Sequence, residues 1–324
     1  MTSTADSFED LIRASSRALV IGVGGGGDVV GALATARFLE FCGLEFVLGG
    51  LSWERIFYDP IPGPRRLSET KNVKALHDFV WLANAGSQTD TGVPFAEAKM
   101  AAALNQEVLL VDVNGGVQGV VDGLMVAMSE LSADLLVGLD VGGDSLAAGG
   151  EPGLRSPLAD SIMLAAFAHL QRRGYRTLWG VYGFGSDGEL TVDEIELALS
   201  KIASAGGLLG ASGLTAKIAA ELAEIIKTVP TEASAVPVQS FRGAWGKLAI
   251  RRGARTVKLT PLTAVTFFLS TQTLYETLAR PAQALGSSKS LDEANEALHV
   301  IGIRTELDYE RDYDRAMKQQ GTAT

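Results

Sequence analysis

Short, nearly continuous apolar runs punctuate the first part of the chain: "ALVIGV", "LEFVLGG", "DFVWLAN", "EVLLVDV", "DLLVGLD" and "TLWGVYGFG". Runs of this length without polar alternation suit strands covered on both faces, as in a parallel sheet. Between several of them the apolar positions change to a helical period, over Val29 to Phe41, Pro94 to Asn105, Val117 to Leu131 and Pro157 to Arg172. Pro94 and Pro157 fit the first turn of a helix, where a missing N–H does no harm. The alternation predicts an α/β fold with a doubly wound, mainly parallel, Rossmann-like sheet. "FYDPIPGPRRLSET" interrupts the rhythm, and Pro60, Pro62 and Pro64 predict an extended surface loop.

Beyond about residue 190 the pattern turns helix-rich, with "DEIELALSKIASA" and "LTAKIAAELAEIIKTV". "KLAIRRGARTVKLTPLTAVTFFL" reads as a hairpin turning near Gly253, then a further strand. Helices are expected from Thr271 to Ala284 and in "SLDEANEAL". No low-complexity linker divides the chain. The expected organisation is a single α/β domain over 1–324, with a glycine-loop core (1–190) and a less regular helical and hairpin extension (191–324).

The first strand runs into "GVGGGGDVVG", where Gly24, Gly25, Gly26 and Gly27 precede Asp28. A glycine turn from a strand into a helix lets a ligand touch bare backbone, and the helix N-terminus favours an anion. The G-x-G-x-x-G spacing is weak, since any glycine run satisfies it, and the lysine-serine ending of a P-loop is absent. Asp28 could bind Mg²⁺, a ribose hydroxyl or an amine, or could simply cap the helix. Similar loops follow other strands: Asp112, Asn114, Gly115 and Gly116; Asp140, Gly142, Gly143 and Asp144; Gly183, Gly185, Asp187, Gly188 and Glu189; and Asn84, Ser87, Thr89 and Asp90. In an open parallel sheet such loops converge on one crevice. It would be rich in carboxylates, with Arg55 and Arg155 the nearest cations. "GGLLGASGLTAK" reads as another anion-binding helix start, or as a cap by Ser212 or Thr215.

Composition narrows the classes. With 47% hydrophobic and 20% charged residues the chain is globular. A net charge of −10 argues against sequence-independent nucleic-acid binding and against docking on anionic membranes. The single cysteine, Cys42, excludes an intramolecular disulfide and is expected to be a buried thiol. The 3 histidines show no metal-ligand spacing. "MTSTADSFEDLIR" is polar and acidic, so no secretory signal is expected, and no apolar run reaches the roughly 20 residues that span a bilayer. The expected location is cytoplasmic, and the apolar content suggests a homo-oligomer.

"VIGVGGGGDVVGALATARFLE", "GGLSWERIFYDPIPGPR", "VDVNGGVQGVVDGL", "LDVGGDSLAAGGEPGLRSPLAD" and "YGFGSDGELT" together resemble the domain of unknown function 1152 family of archaea and some bacteria. The resemblance implies a shared fold and glycine-loop site but brings no established reaction. From the loops themselves the expected function is an enzyme for an anionic ligand, a phosphorylated small molecule or nucleotide, with Mg²⁺ as its expected cofactor. Gly24 to Gly27, Asn114, Gly115, Gly142 and Gly143 are the candidate ligand contacts. Asp28, Asp140 and Asp144 are the candidate metal ligands, and Asp28, Asp144 and Asp187 the candidate catalytic carboxylates. The alternative is a non-catalytic ligand-binding or structural homo-oligomer using the same loops.

Overall fold

In a computed structural model describing residues 7–321, the apolar runs form the strands of a two-faced sheet. A short helix, α1 (Phe8–Arg13), leads into β1 (Arg17–Gly22), α2 (Asp28–Phe41) and β2 (Glu45–Leu51). An antiparallel pair follows, β3 (Thr70–His77) and β4 (Val80–Thr89), then α3 (Ala96–Leu104) and β5 (Val108–Val111). Next come α4 (Gly116–Glu130), β6 (Leu135–Val141), α5 (Pro157–Arg172), β7 (Thr177–Tyr182), α6 (Val192–Ser204) and β8 (Leu208–Gly213). The remainder comprises α7 (Ala216–Ile225), α8 (Glu232–Phe241), the hairpin β9 (Gly246–Ile250) and β10 (Arg255–Leu259), and β11 (Val265–Leu269). It closes with α9 (Thr271–Thr277), α10 (Arg280–Ala284), α11 (Leu291–Val300) and α12 (Glu306–Gly321).

The 9-stranded sheet has the order β3-β4-β5-β2-β1-β6-β7-β11-β8. Its centre, β5-β2-β1-β6-β7, is parallel throughout. Numbered among themselves these strands run 3-2-1-4-5, the order of a Rossmann-type sheet, whose direction of winding reverses between β1 and β6. Both faces of β1 are buried. Leu19 and Ile21 pack with α4 and α5 residues, Ala18 and Val20 with α2 and α7 residues. That is why the parallel strands read as unbroken apolar runs.

Elsewhere the chain departs from the pattern. β3 has a mostly polar sequence, "TKNVKALH", because it is the sheet's exposed edge, where lysines discourage further pairing. The proline segment is not a mere surface loop: Gly63, Pro64 and Arg65 are buried, and Arg65 forms a buried ion pair with Asp59. Pro94 lies before its helix, in an antiparallel bridge to Gln88, and the N-cap is Phe95. Pro157 does occupy the first turn of α5. The helix expected over Thr271 to Ala284 is broken, since Pro281 in the first turn of α10 offers no N–H to continue α9. "GGLLGASGLTAK" holds strand β8, and Thr215 caps the following helix by accepting the Ile218 N–H at 3.3 Å. Cys42 is exposed, not buried, because it sits on the C-cap of α2 where the chain leaves the core. Among the described residues no helix is long and apolar enough to cross a membrane.

Candidate functional site

At the winding reversal, the carboxyl ends of β1 and β6 open side by side. β1 turns through Gly24–Gly27 into α2, and β6 turns through Gly142 and Gly143 into a 3-10 turn beginning at Asp144. The loop after β7 adds Asp187 and Glu189, and the first turn of α5 adds Asp160. Asp28, Asp140, Asp144, Asp160, Asp187 and Glu189 are all buried. Oxygens of Asp140, Asp144 and Asp160 lie within 4.8 Å of one another, as do those of Asp144, Asp187 and Glu189. Asp144 is common to both triplets.

The carboxylates divide by how well they are satisfied. Asp140 accepts the N–H groups of Gly143 (3.1 Å) and Ser145 (3.0 Å) and the Ser145 hydroxyl. Glu189 accepts the amides of Arg155 (2.6 Å) and Ser156 (2.9 Å), the Ser156 hydroxyl (2.6 Å) and the Arg255 guanidinium (2.9 Å). By contrast Asp160, 2% exposed, and Asp187, 5% exposed, have no hydrogen-bond partner on either oxygen among the described residues. Asp144 accepts a long bond from the Ser156 hydroxyl at 3.3 Å. Asp28 is the first residue of α2, not its cap, and its carboxylate turns back to accept the Gly24 N–H at 3.1 Å.

Crowding carboxylates away from water favours their protonated forms. Burial pushes Asp28 up to about 7 against the pull of Arg55, with Asp140 adding to the rise. Burial, then Glu189 and Asp140, push Asp187 up to about 8. Asp144 and Asp160 are driven well above the carboxylate range, by burial first and their acidic neighbours second. For Glu189 burial acts upward too, but Arg255 and the Ser156 and Arg155 donors outweigh it and hold the group low. Such a cluster must take up either protons or a cation. A cavity of about 10 Å³, bordered by Asp144, Ser145, Asp160 and Ser161, gives room for a water-sized guest.

The glycines serve this arrangement differently from a phosphate cradle. Two of the four loop amides are already used: Gly24 donates to Asp28, and Gly26 to the Trp53 carbonyl at 2.9 Å. A Cβ on Gly27 would stand 2.2 Å from that of Thr231, and one on Gly142 only 2.3 Å from the Asp187 carboxyl. These glycines let other parts of the chain, including a site carboxylate, come close.

Not every expected residue reaches the site. Asn84, Ser87, Thr89 and Asp90 lie at the far end of β4, which runs antiparallel to β5, so that loop leaves from the opposite edge of the sheet. β5 is two strands from β1, roughly 10 Å at normal spacing. Its loop borders another cleft, of about 180 Å³, lined by Arg66, Asn114, Asp292 and Arg311 among others. There Asn114 donates to Asp112 at 2.7 Å and to the Pro64 carbonyl at 2.9 Å, and Gly115 packs against the Phe79 ring. Arg155 gives Glu189 its amide, while its guanidinium turns to the carbonyls of Pro152 and Leu154.

The structure adds residues that the sequence had not singled out. Asp160 follows Pro157 by three positions, and only the known start of α5 directs it to the cluster. Arg251 and Arg255 come from the β9–β10 hairpin. Glu306, on α12, accepts the amides of Leu158 (2.9 Å) and Ala159 (2.8 Å), filling the N-terminus of α5 with the protein's own carboxylate.

The profile of a family described as "Protein of unknown function (DUF1152)" matches residues 19–314. No curated protein and no solved structure matches the chain.

Proposed function

We infer the function from the site itself, because this chain belongs to the DUF1152 family, whose description assigns no activity. The reading is a Mg²⁺-dependent enzyme acting on a phosphorylated small molecule or nucleotide. One observation carries it: buried carboxylates gather at the winding reversal, and Asp160 and Asp187 have oxygens with no partner among the described residues. All-oxygen, anionic donors suit a hard divalent cation. Asp144, Asp160 and Asp187 are the least satisfied groups and would supply the ligands. Asp144, shared by both triplets, would be the central ligand and would help supply the negative charge a divalent cation needs. Asp140 and Glu189, saturated by hydrogen bonds, would hold the others in place. Asp28, at about 7, suits a general base near neutral pH. Phosphoryl transfer, hydrolysis and isomerisation all fit a cation, a base and a bound phosphate.

The test is a Mn²⁺ titration followed by electron paramagnetic resonance, paired with a thermal-shift screen of nucleotides and sugar phosphates with and without Mg²⁺. The reading expects Mn²⁺ to bind and at least one phosphorylated compound to stabilise only with metal. Failure of Mn²⁺ to bind at pH 8 would sink it. The alternative, a non-catalytic protein, draws on the raised carboxyl groups, which protons alone can neutralise. It expects no metal-dependent shift with any compound.

A further inference from the structure

We propose that the phosphoryl group of the ligand is gripped by Arg55 and Arg251, which flank the glycine loop, and that the ligand carries a phosphate dianion or a pyrophosphate. This rests on the cation-site reading above and adds the residues that recognise the anion.

The argument starts from guanidinium groups without partners. Arg255 is committed, its Nη1 donating to the Asp187 carbonyl and the Glu189 carboxylate at 2.9 Å each. Arg55 and Arg251 are half-buried, yet neither side chain makes a hydrogen bond or close ion pair among the described residues. An arginine carries five N–H donors in a fork that matches phosphate oxygens.

Both are anchored at the glycine loop. Arg55 lies along Gly26, where a Cβ would stand 3.5 Å from its Cγ. The Arg251 backbone N–H donates to Glu232 at 2.7 Å in the first turn of α8. The same turn touches the loop: Thr231 packs on Gly27, and the Ser234 hydroxyl donates to the Gly27 carbonyl at 3.0 Å. The hairpin therefore brings Arg251 back to the carboxyl ends of β1 and β6 from far along the chain. Arg251 and Arg252 adopt φ of 50° and 55°, a left-handed geometry unusual for non-glycine residues.

Of Arg55 and Arg251, the second is the cation short of counter-charge. Arg251 is lowered to about 10, by burial first and then by Arg55 and Arg255. Arg55 in turn feels Asp28, Glu189, Glu306 and Glu310. A phosphate between the two arginines would relieve the repulsion between cations, and its remaining oxygens could meet a cation held by Asp144, Asp160 and Asp187. The loop amides contribute less than their glycines suggest, since Gly24 and Gly26 already donate within the protein.

The experiment measures pyrophosphate binding by calorimetry in saturating Mn²⁺, and Mn²⁺ binding alone by paramagnetic resonance, for the wild type, Arg55→Gln and Arg251→Gln. Each variant should weaken pyrophosphate by at least about tenfold, as expected for a lost charge-assisted fork. Each should bind Mn²⁺ alone as the wild type does, which also reports that the fold is intact. Unchanged pyrophosphate affinity in both variants overturns the proposal, as does a wild type that binds Mn²⁺ but no pyrophosphate. A wild type that binds pyrophosphate through Arg251 but no Mn²⁺ supports the arginine grip and refutes the cation reading.

Discussion

Stability of the metal-free protein should fall as pH rises through neutrality, and Mg²⁺ should reverse the fall. The perturbation is a pH series from 5 to 8.5, with a chelator or with excess Mg²⁺. Asp28 provides the magnitude, since burial raises it from 3.8 to about 7. A folded-state value above the unfolded one means the native protein holds that proton more tightly. The stabilisation is complete below the unfolded value and is lost as pH climbs through the folded one. The loss runs from the unfolded value to the folded one, so about two pH units of it, from 5 to 7, fall inside the series, roughly 3 kcal/mol for this group. For 324 residues, the usual unfolding entropy turns that into a melting-temperature loss of roughly 4 °C. Asp187, raised to about 8, and Glu306, raised to about 7, act in the same direction and extend the window to the alkaline side. Asp308, lowered to about 2, works the other way and matters only in acid.

A divalent cation competes with those same protons. Its stabilisation should be small at pH 5.5 and should widen steadily toward pH 8.5, reaching roughly 3 kcal/mol at a hundred times the dissociation constant. Differential scanning calorimetry on the intact chain reads both curves. Asp160→Asn, which removes one unpartnered carboxylate, should flatten the chelator curve and close the gap. A chelator curve that rises with pH, or a Mg²⁺ gap that does not change with pH, would refute the reasoning.

Other substitutions probe the remaining supports. Asp144→Asn should leave the melting temperature of the metal-free protein unchanged or raised while weakening Mn²⁺ at least about tenfold, roughly 1.4 kcal/mol, by titration, whereas Asp28→Asn should raise the melting temperature above pH 7 and leave Mn²⁺ affinity unchanged. Gly27→Ala drives a methyl into Thr231 and should destabilise by about 1–3 kcal/mol in urea unfolding. Glu306→Ala strips the acceptor from the Leu158 and Ala159 amides and should cost about 1–2 kcal/mol, while Glu306→Gln should cost less.

The parallel core was legible because its strands are covered on both faces, which leaves an unmistakable apolar signature in β1, β2, β5, β6 and β7. Strand direction was not legible. "DFVWLAN" looks like its neighbours, yet β4 runs the other way because a tight turn joins β3 to it, and one reversed strand carried a whole loop to the wrong edge. β3 and β8 were hidden for a related reason. Both are sheet edges, and an edge strand needs no continuous apolar run.

The site shows the same division. Asp28, Asp140, Asp144 and Asp187 could be found because each lies at or just past the end of a parallel strand, and β1, β6 and β7 are adjacent. Sequence proximity to a strand end is informative only near the winding reversal. Asn114 and Gly115 follow a strand end as well, but two strands away, and they border a different cleft. The residues that give the site its chemistry came from elsewhere. Asp160 depends on the angle at which α5 starts, Glu306 on the docking of α12, and Arg251 and Arg255 on a hairpin returning to the β1 loop through Thr231 and Glu232. Without them the loops read as carboxylates around bare glycine, a poor host for phosphate. Under the proposed reading Arg55 and Arg251 would let cation and anion bind side by side, and the four glycines find their reason in close packing of the segments that carry those charges.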